Sequence, residues 1–164
     1  HFVTQYGIES AVEYGSGDGN QLSLLRIPAY IGLDVSARAI SDIRLRYQDD
    51  SSKSFIEYDP DDFLADQSVS ADIALSMDVI LHLTEDIRFE KYMKNLVASS
   101  RRYVGIFNTA TEEQLEKMAQ HNRFRDHRIW MKSSAPEFTE VEVALTPPKL
   151  GYPIATGFYF YERL

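Results

Sequence analysis

The chemistry-bearing residues of this chain fall into a few short stretches. In VEYGSGDGN, residues 12–20, glycines alternate at Gly15, Gly17 and Gly19 just after the acid Glu13. Glycine permits positive φ and removes the Cβ, so a ligand can lie almost against such a backbone. Asp34 follows 19 residues after Gly15, the separation at which a carboxylate beyond the next strand accepts both hydroxyl protons of a ribose. Together these residues predict an adenosine site. A dinucleotide fold would show G-x-G-x-x-G, and in that register a small residue belongs at position 20, which is Asn20. A bare strand-to-helix turn is the bland alternative.

Two further stretches carry candidates. His82, in MDVILHL, is a candidate general base, histidine being the residue type suited to that role near neutral pH; packing beside a ligand or capping a helix is the competing role. The segment HNRFRDHRIWMK, residues 121–132, gathers Arg123, Arg125, Arg128 and Lys132 around the only tryptophan, Trp130. Arginine forks bind carboxylate or phosphate bidentately, so one reading is a site for an anionic or sugar-like substrate. The other is a solvated helix face with Trp130 turned inward. His121 and His127 lack helical ligand spacing and a clear third partner, so no metal site is expected. The absence of cysteine excludes disulfide scaffolds, Cys-ligated zinc and thiol nucleophiles.

The elements that must position these groups follow from periodicity. Short apolar runs at Ser10–Tyr14, Ala29–Leu33, Ser54–Tyr58, Asp72–Met77 and Tyr103–Phe107 read as strands buried on both faces. Ser36 can cap a helix carrying Ile40, Ile43 and Tyr47 inward, and Thr84 one carrying Phe89, Tyr92, Met93, Leu96 and Val97. TEEQ at Thr111 has the capping-box pattern, with Leu115 and Met118 on one face. Strand then helix, repeated, predicts a mostly parallel Rossmann-like α/β sheet with helices on both faces. Thr139–Leu145 and Gly157–Glu162, joined by a turn-rich loop, should be antiparallel strands. That loop, Thr146–Thr156, brings Tyr152 toward the ligand edge as a substrate candidate.

Composition bounds the rest. With 164 residues, 44% hydrophobic, the chain builds one core and is too short for two ordinary domains, so residues 1–164 are read as a single domain. No apolar run approaches the ~20 residues of a membrane span, and HFVTQYGIES lacks a secretory pattern; a soluble, cytoplasmic protein is expected. A net charge of −8 opposes attraction to phosphate backbones, so a small-molecule partner is expected rather than nucleic acid. Oligomeric state is not legible.

The motifs VEYGSGDGN, YIGLDVS, FIEYDPDD, ADIALSMDVILHL and RRYVGIFN together resemble the class I S-adenosylmethionine-dependent methyltransferases across roughly Ser10–Asn108. The resemblance implies a seven-stranded sheet and S-adenosyl-L-methionine as cofactor. It implies that Glu13, Gly15, Ser16 and Gly17 shape the methionine and sulfonium pocket, that Asp34 holds the ribose, and that Val35 packs on the adenine ring while Asp59 reaches its amino group. Met77 and Asp78 would border the methyl donor. A helix ahead of the first strand usually helps close such sites, and Phe2–Ile8 is what stands there. The expected function is methyl transfer to a small-molecule or saccharide-type acceptor. A nicotinamide-dependent oxidoreductase, a non-catalytic cofactor-binding subunit and a nucleic-acid methyltransferase stay open as alternatives.

Overall fold

The computed structural model describes residues 1–109, 122–145 and 156–164. Its strands are β1 (Ser10–Tyr14), β2 (Ala29–Asp34), β3 (Lys53–Glu57), β4 (Ala71–Met77), β5 (Ser100–Thr109), β6 (Phe138–Leu145) and β7 (Thr156–Arg163). They form one sheet in the order β3-β2-β1-β4-β5-β7-β6. The first five pair parallel, and β7 runs antiparallel to both β5 and β6. This is the mostly parallel sheet with an antiparallel C-terminal strand that the sequence predicts. The winding reverses between β1 and β4, which opens a crevice at the carboxyl ends of the central strands.

Four α-helices among the described residues, α1 (Phe2–Gln5), α2 (Ala37–Arg46), α3 (Asp86–Ala98) and α4 (His127–Ser134), divide between the two faces. On one face Tyr92, Met93 and Leu96 of α3 and Trp130 and Met131 of α4 pack on Val12, Leu33, Ala74 and Val104. On the other, Phe2 of α1 and Ile40 and Ile43 of α2 pack on Ala11, Tyr30, Ile73 and Tyr103. Burying side chains such as Met93 and Leu96 completely stabilises by about 1.5–3 kcal/mol each. Two of the crossovers are short: β1 to β2 carries only the 3-10 turn Leu22–Leu24, and β3 to β4 only Gln67–Val69.

Ser36 caps α2 as predicted, its Oγ accepting from the Ala39 N–H at 3.2 Å. Thr84 does not cap α3. That helix begins two residues later, with Glu85 at its head and no side-chain cap, and the Thr84 carbonyl is bound by arginines from a distant segment. Strand β5 is longer than its apolar run: Ser100 pairs with Ala71 of β4 ahead of a register shift before Tyr103, and Asn108 and Thr109 continue the ladder with β7. The helix expected from Thr111, with Leu115 and Met118, lies outside the described residues, as do His121 and the loop residues through 155 that include Tyr152. No helix among the described residues is long and apolar enough to cross a membrane.

Candidate functional site

A cavity of about 440 Å³ opens where β1, β2 and β4 end, with Gly15, Asp34, Val35, Met77, Asp78 and His82 in its wall. Its volume lies in the range of small-molecule sites. The loop after β1 folds back on β2 because the N–H groups of Gly15 and Ser16 both donate to the Leu33 carbonyl, at 2.7 and 3.0 Å. Gly17 sits at φ +54°, and a Cβ there would project into open space. A Cβ on Gly15 would strike Val79 at 2.3 Å, so that glycine lets the β1 loop and the β4 exit close on each other.

Asp34, the last residue of β2, is half-buried and doubly oriented. Its Oδ2 accepts from the Gly17 N–H at 2.8 Å and its Oδ1 from the Ser36 N–H at 2.9 Å. Each carboxylate oxygen has a second lone pair, which leaves the group able to accept further bonds from a ligand. Val35, 57% exposed, offers an apolar surface beside it. Asp59 is exposed and lines an adjoining shallow groove with Val35, Tyr58 and Arg88 rather than the cavity itself, and its Oδ1 accepts from the Asp61 N–H at 2.8 Å.

Glu13 departs from its expected role. It lies on the opposite face of the sheet, 1% exposed, with its carboxylate accepting from the Tyr30 hydroxyl at 2.5 Å. Burial raises its pKa from 4.5 to about 7, against the lowering effect of that hydrogen bond. Strand alternation is the reason: neighbours point to opposite faces, so Tyr14, next to Glu13, faces the cavity in its place. Ser16 is buried, and its Oγ has no hydrogen-bond partner.

The sequence reading passes over an aromatic wall. Tyr14, Tyr58 and Tyr92 line the cavity, with Tyr14 edge-on to Tyr58 at 5.9 Å and to Tyr92 at 5.7 Å. The Tyr92 hydroxyl donates to Ser76 Oγ at 2.7 Å, and the Tyr14 hydroxyl lies 2.6 Å from Ser99 Oγ. The period-two pattern of β1 and the helical face of α3 hold the signal that would have found Tyr14 and Tyr92.

At the β4 exit Asp78 adopts φ 57°, a left-handed conformation that aspartate tolerates better than most residues. Loss of bulk water around its carboxyl raises its pKa above the ordinary aspartate range, opposed by the charge of nearby His82. His82 ends the 3-10 turn Ile80–His82 and lines the same cavity.

The arginines do not face the cavity as free anion binders. Arg123 and Arg125 bind carbonyls and Asp86 at the head of α3, and Arg128 pairs with Asp126, the N-cap of α4, at 2.8 Å. The solvated-face reading needs correcting too, because the side chain of Arg125 is only 9% exposed. Trp130 does turn inward, donating its indole N–H to Glu90 at 2.5 Å. His127 is buried against Tyr159, its Nδ1 3.2 Å from the Asn108 amide nitrogen, and burial lowers its pKa to about 4. Among the described residues no group of three His, Cys, Asp or Glu side chains could hold a metal ion.

The sequence matches no family model and no curated protein. Solved structures are similar in fold. N-methyltransferase NodS from Bradyrhizobium japonicum WM9, in complex with S-adenosyl-L-homocysteine, gives a TM-score of 0.79 at 14% identity, over 98% of this chain and 81% of that one. Magnesium protoporphyrin IX methyltransferase (ChlM) from Synechocystis PCC 6803 with bound SAM gives 0.71 at 12% identity, over 99% and 75%. An S-adenosylmethionine-dependent methyltransferase from Clostridium acetobutylicum ATCC 824 gives 0.74 at 7% identity, over 99% and 87%. At these identities the likeness is one of fold.

Proposed function

We propose that this chain, which has the fold of class I S-adenosylmethionine-dependent methyltransferases, is such an enzyme in a single domain, acting on a small-molecule or saccharide-type acceptor. One observation carries the reading. The Asp34 carboxylate, oriented by N–H groups of Gly17 and Ser36, faces the same cavity as the glycine loop and the β4 exit. That arrangement suits a nucleoside. The open space at Gly17 and the spare lone pairs of Asp34 fit the cofactor, and neighbours bound to S-adenosyl-L-homocysteine and SAM support it.

When bound, S-adenosyl-L-methionine supplies a methyl group on an already activated sulfonium leaving group, so positioning does most of the catalytic work. Asp34 would accept hydrogen bonds from the ribose hydroxyls, the backbone from Gly15 to Gly17 would admit the methionine portion, and Val35 would cover one face of the adenine. Met77 and Asp78 would border the methyl donor. His82 would serve as the base that takes the proton shed by a hydroxyl acceptor. A cavity of about 440 Å³ and a net charge of −8 favour a small acceptor over nucleic acid, and a cysteine-free chain suits the cytoplasm.

Calorimetry and thermal shift with S-adenosyl-L-methionine, S-adenosyl-L-homocysteine and NAD test this. Micromolar affinity for the first two is expected, with stabilisation of about 2.7 kcal/mol at a hundredfold excess over Kd. Silence with both beside a response to NAD would replace the reading with a nicotinamide enzyme. Methylated products from an acceptor screen then separate an enzyme from a binding subunit.

A further inference from the structure

Resting on the reading of His82 as a group that faces the acceptor, we propose that Arg125, assisted by Arg123, is the positioning residue that sets His82 in the cavity wall. His82, which ends the turn Ile80–His82, and the three residues after it line the cavity wall between β4 and α3. A 3-10 turn leaves its last carbonyls without partners of its own, and α3 begins without a side-chain cap. Local bonds close the turn, with the His82 and Leu83 N–H groups donating to the Val79 and Ile80 carbonyls at 2.9 and 3.1 Å and the Thr84 N–H to the His82 carbonyl at 3.1 Å, and they leave the carbonyls of Leu81, Leu83 and Thr84 to partners from elsewhere.

The segment after β5 supplies what is missing. The Arg123 N–H donates to the Leu81 carbonyl at 2.8 Å. Arg125 Nε donates to the Leu83 carbonyl at 3.0 Å, and its Nη2 to the Thr84 carbonyl at 2.9 Å. Arg123 Nη1 reaches the Thr84 carbonyl as well, at 2.7 Å. These three carbonyls bracket His82 on both sides. The Arg125 guanidinium also pairs with Asp86 and lies over the Phe89 ring, 4.9 Å from its centroid, while Arg123 Nη1 lies 3.1 Å from Asp86. With a side-chain exposure of 9% against 48% for Arg123, Arg125 is the inner member of the clamp. Only a planar fork meets two successive carbonyls and a carboxylate at once, so lysine cannot replace it.

The full chain tests this by NMR of the histidine Cε1–H signals, with that of His82 assigned through His82→Gln. In Arg125→Lys, cooperative melting and an affinity for S-adenosyl-L-homocysteine within about threefold of wild type are expected, while the His82 signal shifts or broadens even in the free protein. An unchanged His82 signal in a folded Arg125→Lys protein would overturn the proposal and reduce the clamp to a scaffold. Should Arg125→Lys fail to fold, Asp86→Asn, at an exposed carboxylate that orients both guanidinium groups, gives the same readout. If the wild type does not bind S-adenosyl-L-homocysteine but the His82 signal still responds, the clamp stands and the cofactor reading falls.

Discussion

The two rims of the cavity are built in different ways. On the β1–β2 side, Asp34 is held by N–H groups 17 and 2 residues away, and the glycine loop closes on the strand beside it. On the β4 side, the wall that carries His82 is held by Arg123 and Arg125, 39 and 42 residues from the carbonyls they bind. A rim made by one strand–loop–strand unit is set by contacts within that unit. The β4 rim depends on a segment from beyond β5, brought to it by the fold. Behind each rim lies a buried titratable group of opposite kind, Glu13 under β1 and His127 beside β5 and β7.

Gly17→Val should have the largest effect, because a branched side chain at φ +54° is strained and fills the open side of the loop. Calorimetry should show no S-adenosyl-L-homocysteine binding; normal binding would mean that the near rim is not where the cofactor lies. His82→Ala should separate the rims, leaving cofactor Kd nearly unchanged while turnover of a hydroxyl acceptor falls by roughly 10²–10⁴-fold. If affinity falls and the saturated rate recovers, His82 belongs to the cofactor rim instead.

The buried pair gives opposite pH limbs. His127 is neutral in the fold, with its pKa lowered from 6.5 to about 4. The unfolded chain takes up a proton that the fold excludes, so stability falls as pH drops from about 6.5 toward 4, by up to on the order of 3 kcal/mol. Glu13 runs the other way. Its pKa, raised to about 7, favours the protonated fold, and stability falls as pH rises from about 4.5 through 7. Because the two slopes largely cancel between about pH 4.5 and 6.5, urea unfolding at several pH values should show stability falling with rising pH in His127→Gln and rising with pH in Glu13→Gln.

Asp34→Ala should weaken cofactor binding by about 1.5–3 kcal/mol, the scale of hydrogen bonds to a charged group, while far-ultraviolet circular dichroism stays that of the wild type. Arg128→Ala should matter least, about 1 kcal/mol or less of stability, because its partner Asp126 sits on the same surface turn. A large loss of turnover there would return Arg128 to the substrate site.

Much of this was legible in the residues. Apolar runs place the strands, and the spacing of Gly15, Gly17 and Asp34 is legible because the contacts that join them lie within one strand–loop–strand unit. Glu13 was misassigned because a motif names a residue type, whereas the period of two decides which face it takes. Thr84 fits the local pattern of a cap, yet the head of the helix falls one residue past it, at Glu85, without a side-chain cap.

The sequence alone determined the succession of strands, the glycine loop and the position of Asp34 at the end of β2, since these rest on periodicity and backbone freedom over a few residues. Only the tertiary structure decided that Tyr14 and not Glu13 faces the cavity, that Tyr58 and Tyr92 complete an aromatic wall, and that the arginines bind the His82 turn rather than a ligand. A charge in a sequence carries no record of its partner. Which carbonyl or carboxylate it meets is set by where the sheet brings distant segments together.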